Sequence, residues 1–223
     1  MMELPMEKKF NCLYLDETPY QQSLELQEHI FKAQLDKLEK GEPTSNTLIF
    51  VQHTPVYTLG KSGDIKNLKV PIEETGAEYF ETDRGGDITY HGPGQLTGYP
   101  IFNLNDFGIG VKEYVYRIEQ CVIDCMASYG IKCSRIDKAS GVWVSAETKL
   151  PRKICAIGIK ISKGISMHGF ALNINTNLSY FENIVPCGLE DSAVTSLKKE
   201  LGRDITVHEV CENLEEYFRK QFH

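Results

Sequence analysis

Apolar positions along the chain fall into two periods. Val111, Val115, Ile118, Val122, Cys125 and Tyr129 recur at alternating steps of four and three, which predicts an amphipathic helix over 110–129 stopped by Gly130. A second helical face is carried by Leu24, Phe31, Leu35 and Leu38. It follows a Thr18/Gln21 capping box with Pro19 at the first helical position, and Gly41 supplies its stop. A closing helix is marked by a Thr206/Glu209 capping box and by Val207, Val210, Leu214 and Tyr217. Between these segments the pattern is extended, with strands expected over 8–15, 46–53, 55–59, 77–81, 87–91, 131–135 and 141–145. The runs 153–161 and 165–174 flank Ser162-Lys163-Gly164, a three-residue hairpin loop. Centred on Lys163, that loop would set residue 157 opposite 169 and 153 opposite 173. Strands outnumber helices and crowd the middle of the chain. The expected fold class is α+β, a mixed β-sheet flanked by helices, in one domain over 1–223.

Composition narrows the function classes. The formal net charge of −7 argues against a nucleic-acid partner, which needs a basic face. No apolar run approaches the roughly 20 residues that span a bilayer, so no membrane partner is expected and a cytoplasmic protein is the default. The seven cysteines include no C-x-x-C pair. Cys121, Cys125 and Cys133 are the best metal candidates, but the first two share a helix face where buried thiols are common; the expectation is reduced thiols and no metal. Charge is also uneven. From 132 to 163 there are eight basic residues (132, 135, 138, 149, 152, 153, 160, 163) against Asp137 and Glu147, enough to steer an acidic partner or simply to solvate loops.

Three segments could carry chemistry. In Arg84-Gly85-Gly86-Asp87-Ile88-Thr89-Tyr90-His91-Gly92-Pro93-Gly94-Gln95, glycines free the backbone beside a guanidinium and an imidazole. Such a set suits a carboxylate, a phosphate or a thioester carbonyl, and equally a pair of tight turns. In Val185-Pro186-Cys187-Gly188-Leu189 a cysteine sits outside any apolar period with glycine beside it, leaving room for a carbonyl to approach. Lys153 opens an apolar strand. As an ammonium it would favour a nearby thiolate, and as an amine it could take a proton from an incoming nucleophile. His91 is the competing base, whereas His168 reads as a hydrogen-bonded core residue and His53 as part of a turn.

These pieces occur in one order: R-G-G-x-x-T-Y-H-G-P-G-Q, K-x-x-A-x-G, H-G-x-A-L-N and P-C-G, over about 48–197. In that order the chain resembles the lipoyl (octanoyl) transferases of lipoate biosynthesis. The resemblance implies a catalytic Cys187 that forms an acyl thioester and a Lys153 that lowers its pKa. It puts acyl binding on Arg84, Gly85, Gly86, Asp87, Ile88, Thr89, Tyr90 and His91, on Ala156, Ile157 and Gly158, and on Gly169, Phe170 and Ala171. It implies the fold of biotin and lipoate protein ligases and no cofactor. The donor would be octanoyl-acyl carrier protein. The acceptors would be lipoyl domains of 2-oxoacid dehydrogenase E2 subunits and the glycine cleavage H protein. Two rival readings are an ATP-dependent lipoate-protein ligase and a non-catalytic acyl- or lipoyl-domain-binding protein. Gly158 and Gly169 would leave a trough between paired strands that admits a straight acyl chain.

Overall fold

The computed structural model of the chain describes residues 9–185 and 193–223. The larger sheet is built on β1 (Asn11–Thr18), β2 (Thr47–His53), β6 (Gln95–Ile101), β10 (Ile165–Asn173), β9 (Arg152–Ser162), β8 (Ala139–Val144) and β7 (Cys133–Ile136), in that spatial order. All neighbours are antiparallel except β1 with β2. A short β11 (Ala193–Val194) runs parallel to β9, pairing Val194 with Lys153 on the stretch of β9 that β10 has already left. The other three strands, β3 (Val56–Leu59), β4 (Glu78–Glu81) and β5 (Thr89–His91), form a separate small sheet in the order β4-β3-β5. The expected fold class holds, with its strands divided between two sheets.

Alternation along the central strands explains the layers. On β2, Leu48 and Phe50 face the helices α2 (Val111–Ser128) and α4 (Val207–Gln221), while Ile49 and Val51 face α1 (Tyr20–Glu39). A five-residue helix, α3 (Leu197–Leu201), follows β11. Burial of each large aliphatic or aromatic side chain stabilises the fold by about 1.5–3 kcal/mol. Tyr57, Leu59, Ile88, Tyr90 and Ile184 make a third cluster under the small sheet. No described helix is long and apolar enough to cross a membrane.

Several details differ from the sequence expectation. The opening strand is displaced from 8–15 to Asn11–Thr18, where pairing with β2 selects its register. Thr18 ends that strand and does not cap α1: its hydroxyl donates to the Asp16 carbonyl, and Pro19 occupies the N-cap without a side-chain bond. The buried face of α1 is Tyr20, Ser23, Gln27, Phe31 and Gln34, with Leu24, Leu35 and Leu38 on its partly exposed flanks. On α2 the buried stripe is Tyr114, Ile118, Cys121, Val122, Cys125 and Met126, and Val111 is exposed. Thr206 caps α4 as expected, accepting from the Glu209 amide.

Strand β6 had no counterpart in the pattern. It is buried on both faces, so it does not alternate, and Gly98 and Pro100 interrupt it. Pro100 is tolerated because the β10 ladder ends at Phe170–Gly98, before the rung its missing amide would spoil. The β9–β10 turn uses two residues, Lys163 (φ 49°) and Gly164 (φ 84°), both left-handed as a type I′ turn requires. The register therefore shifts by one from the expected one. Gly158 faces Gly169, Ile157 faces Phe170 and Ala156 faces Ala171.

Candidate active site

A cavity of about 120 Å³ opens where the small sheet leans on β9 and β10. Ala156, Ile157 and Gly158 come to it from β9, and Gly169, Phe170 and Ala171 come from β10. Arg84, Gly86, Asp87, Ile88, Thr89 and His91 close it from the glycine-rich segment. Lys153 lines the same cavity, its Nζ lying 4.5 Å from the centroid of the Trp143 ring on the neighbouring strand. Cys187 lies outside the described residues. The chain on either side of 186–192 is anchored at the cavity: Ile184 and Val194 both line it, and the Thr195 amide donates to the Lys153 carbonyl at 2.9 Å.

Gly85 and Tyr90 are not in the cavity wall. The Gly85 amide donates to the Ile159 carbonyl at 2.9 Å and so fastens the segment to β9. Tyr90 turns into the third cluster, stacked on Tyr180 at 4.4 Å. Asp87 lines the cavity but is engaged locally, accepting from its neighbour's amide, Ile88 N, and from Asn67 Nδ2.

A hydrogen-bonded chain crosses the site. Arg84, 8% exposed, donates through Nε and Nη2 to the Thr58 hydroxyl and through Nη2 to the Thr58 carbonyl. The Thr58 hydroxyl in turn faces His91 Nε2, and His91 Nδ1 faces Gln95 Oε1 at 2.8 Å. Gln95 Nε2 donates to Asn173 Oδ1, and Asn173 Nδ2 donates to the Thr195 carbonyl. Since Gln95 Oε1 can only accept, the proton of neutral His91 sits on Nδ1 and Nε2 accepts from Thr58. Burial, with His53 and Arg84 adding repulsion, lowers the His91 pKa to about 3. Both ring nitrogens are engaged, so His91 has none to spare for a thiol.

His168 joins the wall more directly than its expected core role. It takes φ +59° within β10, a left-handed kink that breaks strand alternation, and the consecutive residues 168–171 all line the cavity. Its Nε2 bonds Asp83 Oδ1 at 2.8 Å, and the other Asp83 oxygen takes Lys160. Burial pushes its pKa down against the pull of Asp83. His53 is buried too, bridging the Thr18 carbonyl and the Tyr99 hydroxyl, and burial lowers its pKa to about 4.

Sequence reading missed Tyr20, Thr97 and Tyr99, which also line the cavity. Thr97 and Tyr99 belong to β6, whose pattern gave no sign of a strand, and Tyr20 lay in the first turn of a helix read from its leucines. Cys121, Cys125 and Cys133, weighed above against a metal site, are buried thiols whose pKa burial raises, to about 12 for Cys125 and Cys133. Among the described residues no group of three or more His, Cys, Asp or Glu could hold a metal ion. The basic run from 132 to 163 is partly neutralised. Arg135 pairs with Glu119, Arg152 with Glu200, Lys160 with Asp83 and Lys163 with Glu39, leaving Lys132, Lys138 and Lys149 exposed.

The family model described as the lipoyl protein ligase A/B catalytic domain matches residues 19–219. An octanoyltransferase of Bacteroides fragilis is 50% identical over 199 residues, covering 88% of this chain and 90% of that protein. The octanoyltransferase of Christiangramia forsetii is 43% identical, with 97% of each chain covered. Among solved structures, a lipoate-protein ligase A bound with ATP superposes with a TM-score of 0.72 at 19% identity, over 96% of this chain and 86% of that one. The biotin protein ligase of Aquifex aeolicus gives 0.52 at 13% identity, over 96% and 69%. These two share the fold. With a family model matched over 19–219 and relatives 43% and 50% identical over 90% or more of their length, the chain belongs to the lipoyl protein ligase A/B catalytic-domain family and, within it, to the octanoyltransferases.

Proposed function

We propose that this protein, as one catalytic domain in the cytoplasm, moves an octanoyl group from octanoyl-acyl carrier protein to a lysine of a lipoyl domain, through a thioester on Cys187. What carries the reading is that Lys153 lines the same cavity as residues from all three carried-over acyl-binding segments. The alkyl chain lies along Ile157, Phe170 and Ala171, which remove it from water. The Cys187 thiolate attacks the donor carbonyl, a carbon–sulfur bond forms, and the carrier thiolate leaves. The acceptor amine then attacks the octanoyl thioester. A carbon–nitrogen bond forms, the bond to Cys187 breaks, and the amine's proton passes to a base, for which Lys153 in its amine form is the candidate. Before attack, Lys153 as an ammonium favours the thiolate, whose free pKa is about 8.5.

Thioester exchange is nearly balanced and amide formation is downhill, so the sequence of steps needs no nucleotide. The lipoyl acceptor fits a solved relative described as an archaeal bipartite lipoate protein ligase and its E2 lipoyl domain, at 14% identity and a TM-score of 0.70. The test is intact-protein mass spectrometry after incubation with octanoyl-carrier protein. The reading expects a gain of one octanoyl group, labile to hydroxylamine and absent in Cys187→Ser. Absence of the adduct on folded wild type, with activity instead on octanoate plus ATP, would move the protein to the ligases.

A further inference from the structure

The cavity extends to a floor where α1 crosses the central sheet, lined by Tyr20, Thr97 and Tyr99. Ser23 Oγ, Thr97 Oγ1 and both amide atoms of Gln27 are buried without a hydrogen-bond partner among the described residues. Ser23 and Gln27 are fully buried and Thr97 is 2% exposed. Ser23 and Gln27 are four residues apart, on successive turns of one helix face. Thr97 shares a strand face with Tyr99, and Gln27 sits beside the Tyr99 hydroxyl without a hydrogen bond of normal geometry to it. The Tyr99 hydroxyl is itself held by His53 Nε2 at 2.7 Å. Buried polar groups of this kind are ordinarily satisfied by an internal water with two to four partners.

The position of this floor bears on chain length. Ala171 pairs with Thr97 on one side and with Ala156 on the other, so all three stand at one level of the sheet. Lys153 is three residues from Ala156 along β9, about 10 Å at the rise of an extended strand. A fully extended eight-carbon acyl chain reaches about 9 Å, given carbon–carbon bonds of about 1.5 Å. Thr97 lies two strands across from Ala156, about 10 Å at the spacing of neighbouring strands, so a chain whose carbonyl is held near Lys153 ends short of Thr97, and a few further methylenes bring it there.

We propose that Thr97, Ser23 and Gln27 hold buried water that forms the end of the acyl site, and that this hydrated floor sets the chain-length limit. The inference rests on the octanoyl-transfer reading. A longer chain must push its terminal methylenes onto hydroxyl and carboxamide groups and displace the water that satisfies them, and an eight-carbon chain stops short of that cost.

Thr97→Val separates this limit from a plain wall, because valine keeps the shape of threonine and removes only the hydroxyl. The measurement is kcat/KM for decanoyl- against octanoyl-carrier protein, in wild type and variant. The expected result is a rise in the decanoyl-to-octanoyl ratio of about tenfold, in line with the cost of stranding one buried polar group. Ser23→Ala should move the ratio in the same direction, and carries the test if Thr97→Val does not fold. An unchanged ratio in both, with a rise only in the larger cavity of Thr97→Ala, would overturn the hydrated floor in favour of a steric stop. Failure of the underlying reading looks different: wild type would then transfer no octanoyl group at all, and both would fall.

Discussion

Gly158 stands directly opposite Gly169 in the β9–β10 ladder, and neither position has room for a side chain. The reasons differ. A Cβ on Gly158 would come within 2.8 Å of the Gly85 carbonyl oxygen and 3.1 Å of Arg84 Cδ, at the cavity wall. One on Gly169 would overlap the Gly98 carbonyl of the adjacent strand and press on Pro100. The trough expected between them is thus a place where other backbone comes close. Gly158→Ala should shift the Arg84 segment and lower kcat/KM for octanoyl transfer at least tenfold, with a modest loss of stability. Gly169→Ala should mainly destabilise, by about 1–3 kcal/mol or more, because it forces β6 from β10. Urea unfolding beside steady-state kinetics separates the two, and equal stability losses would contradict this division.

Lys153 should govern the reactivity of Cys187. In Lys153→Met the apparent pKa for alkylation of Cys187 by iodoacetamide should rise towards the free-thiol value of about 8.5, and octanoyl loading should slow sharply at pH 7. Mass mapping of the labelled peptide distinguishes Cys187 from the buried cysteines, whose pKa values burial raises. A rate profile identical to wild type would remove Lys153 from the mechanism.

The buried histidines make stability acid-sensitive. His53 and His91 have folded pKa values of about 4 and about 3, both below the ordinary 6.5, chiefly through burial. Between pH 6.5 and about 4 the unfolded chain therefore takes up protons that the folded chain refuses, so stability falls as pH falls. The slope is about 1.4 kcal/mol per pH unit for each histidine. Chemical denaturation from pH 7 to 4.5 should show this decline, and His53→Gln should reduce the slope by about one proton. A stability flat from pH 7 to 5 would mean the histidines titrate normally in the fold.

The basic run between 132 and 163 splits into two kinds of residue. Arg152 binds both carboxylate oxygens of Glu200, at 2.9 and 3.0 Å, and ties β9 to α3. Arg152→Glu should cost stability, at the upper end of what a partly exposed pair contributes, about 1 kcal/mol, plus repulsion from Glu200. Lys149 is exposed and should serve docking alone. Lys149→Glu should raise KM for carrier-bound substrate several-fold at low salt, leave kcat in place, and lose its effect as ionic strength rises. An unchanged KM at low salt would exclude this face from docking.

What the sequence determined follows from local and periodic physics. The helix over 110–129 was legible because it buries one face, and Val207–Gln221 because Thr206 caps it and its apolar stripe repeats. The hairpin was legible because two extended apolar runs flank a glycine turn, so residues 156–158 and 169–171 were bound to meet. The ordered motifs brought Lys153 and the glycine-rich segment into one hypothesis before any contact was known.

The tertiary structure decided whatever depends on partners distant in sequence. Strand β6 is buried on both faces and broken by glycine and proline, so it has no periodic signature and exists because β2 and β10 hold it. One residue more or fewer in a turn shifts every facing pair, and only the left-handed Lys163–Gly164 turn put Gly158 against Gly169. The division of the basic run was set by Glu39, Asp83, Glu119 and Glu200, each remote from its partner in the chain. The burial of Ser23 and Gln27 is the sharpest case. Ser23 and Gln27 look like solvated helix positions in sequence, and become buried only because α1 lies across Thr97 and Tyr99. Sequence fixes which groups a chain carries, whereas desolvation is a property of what packs against them.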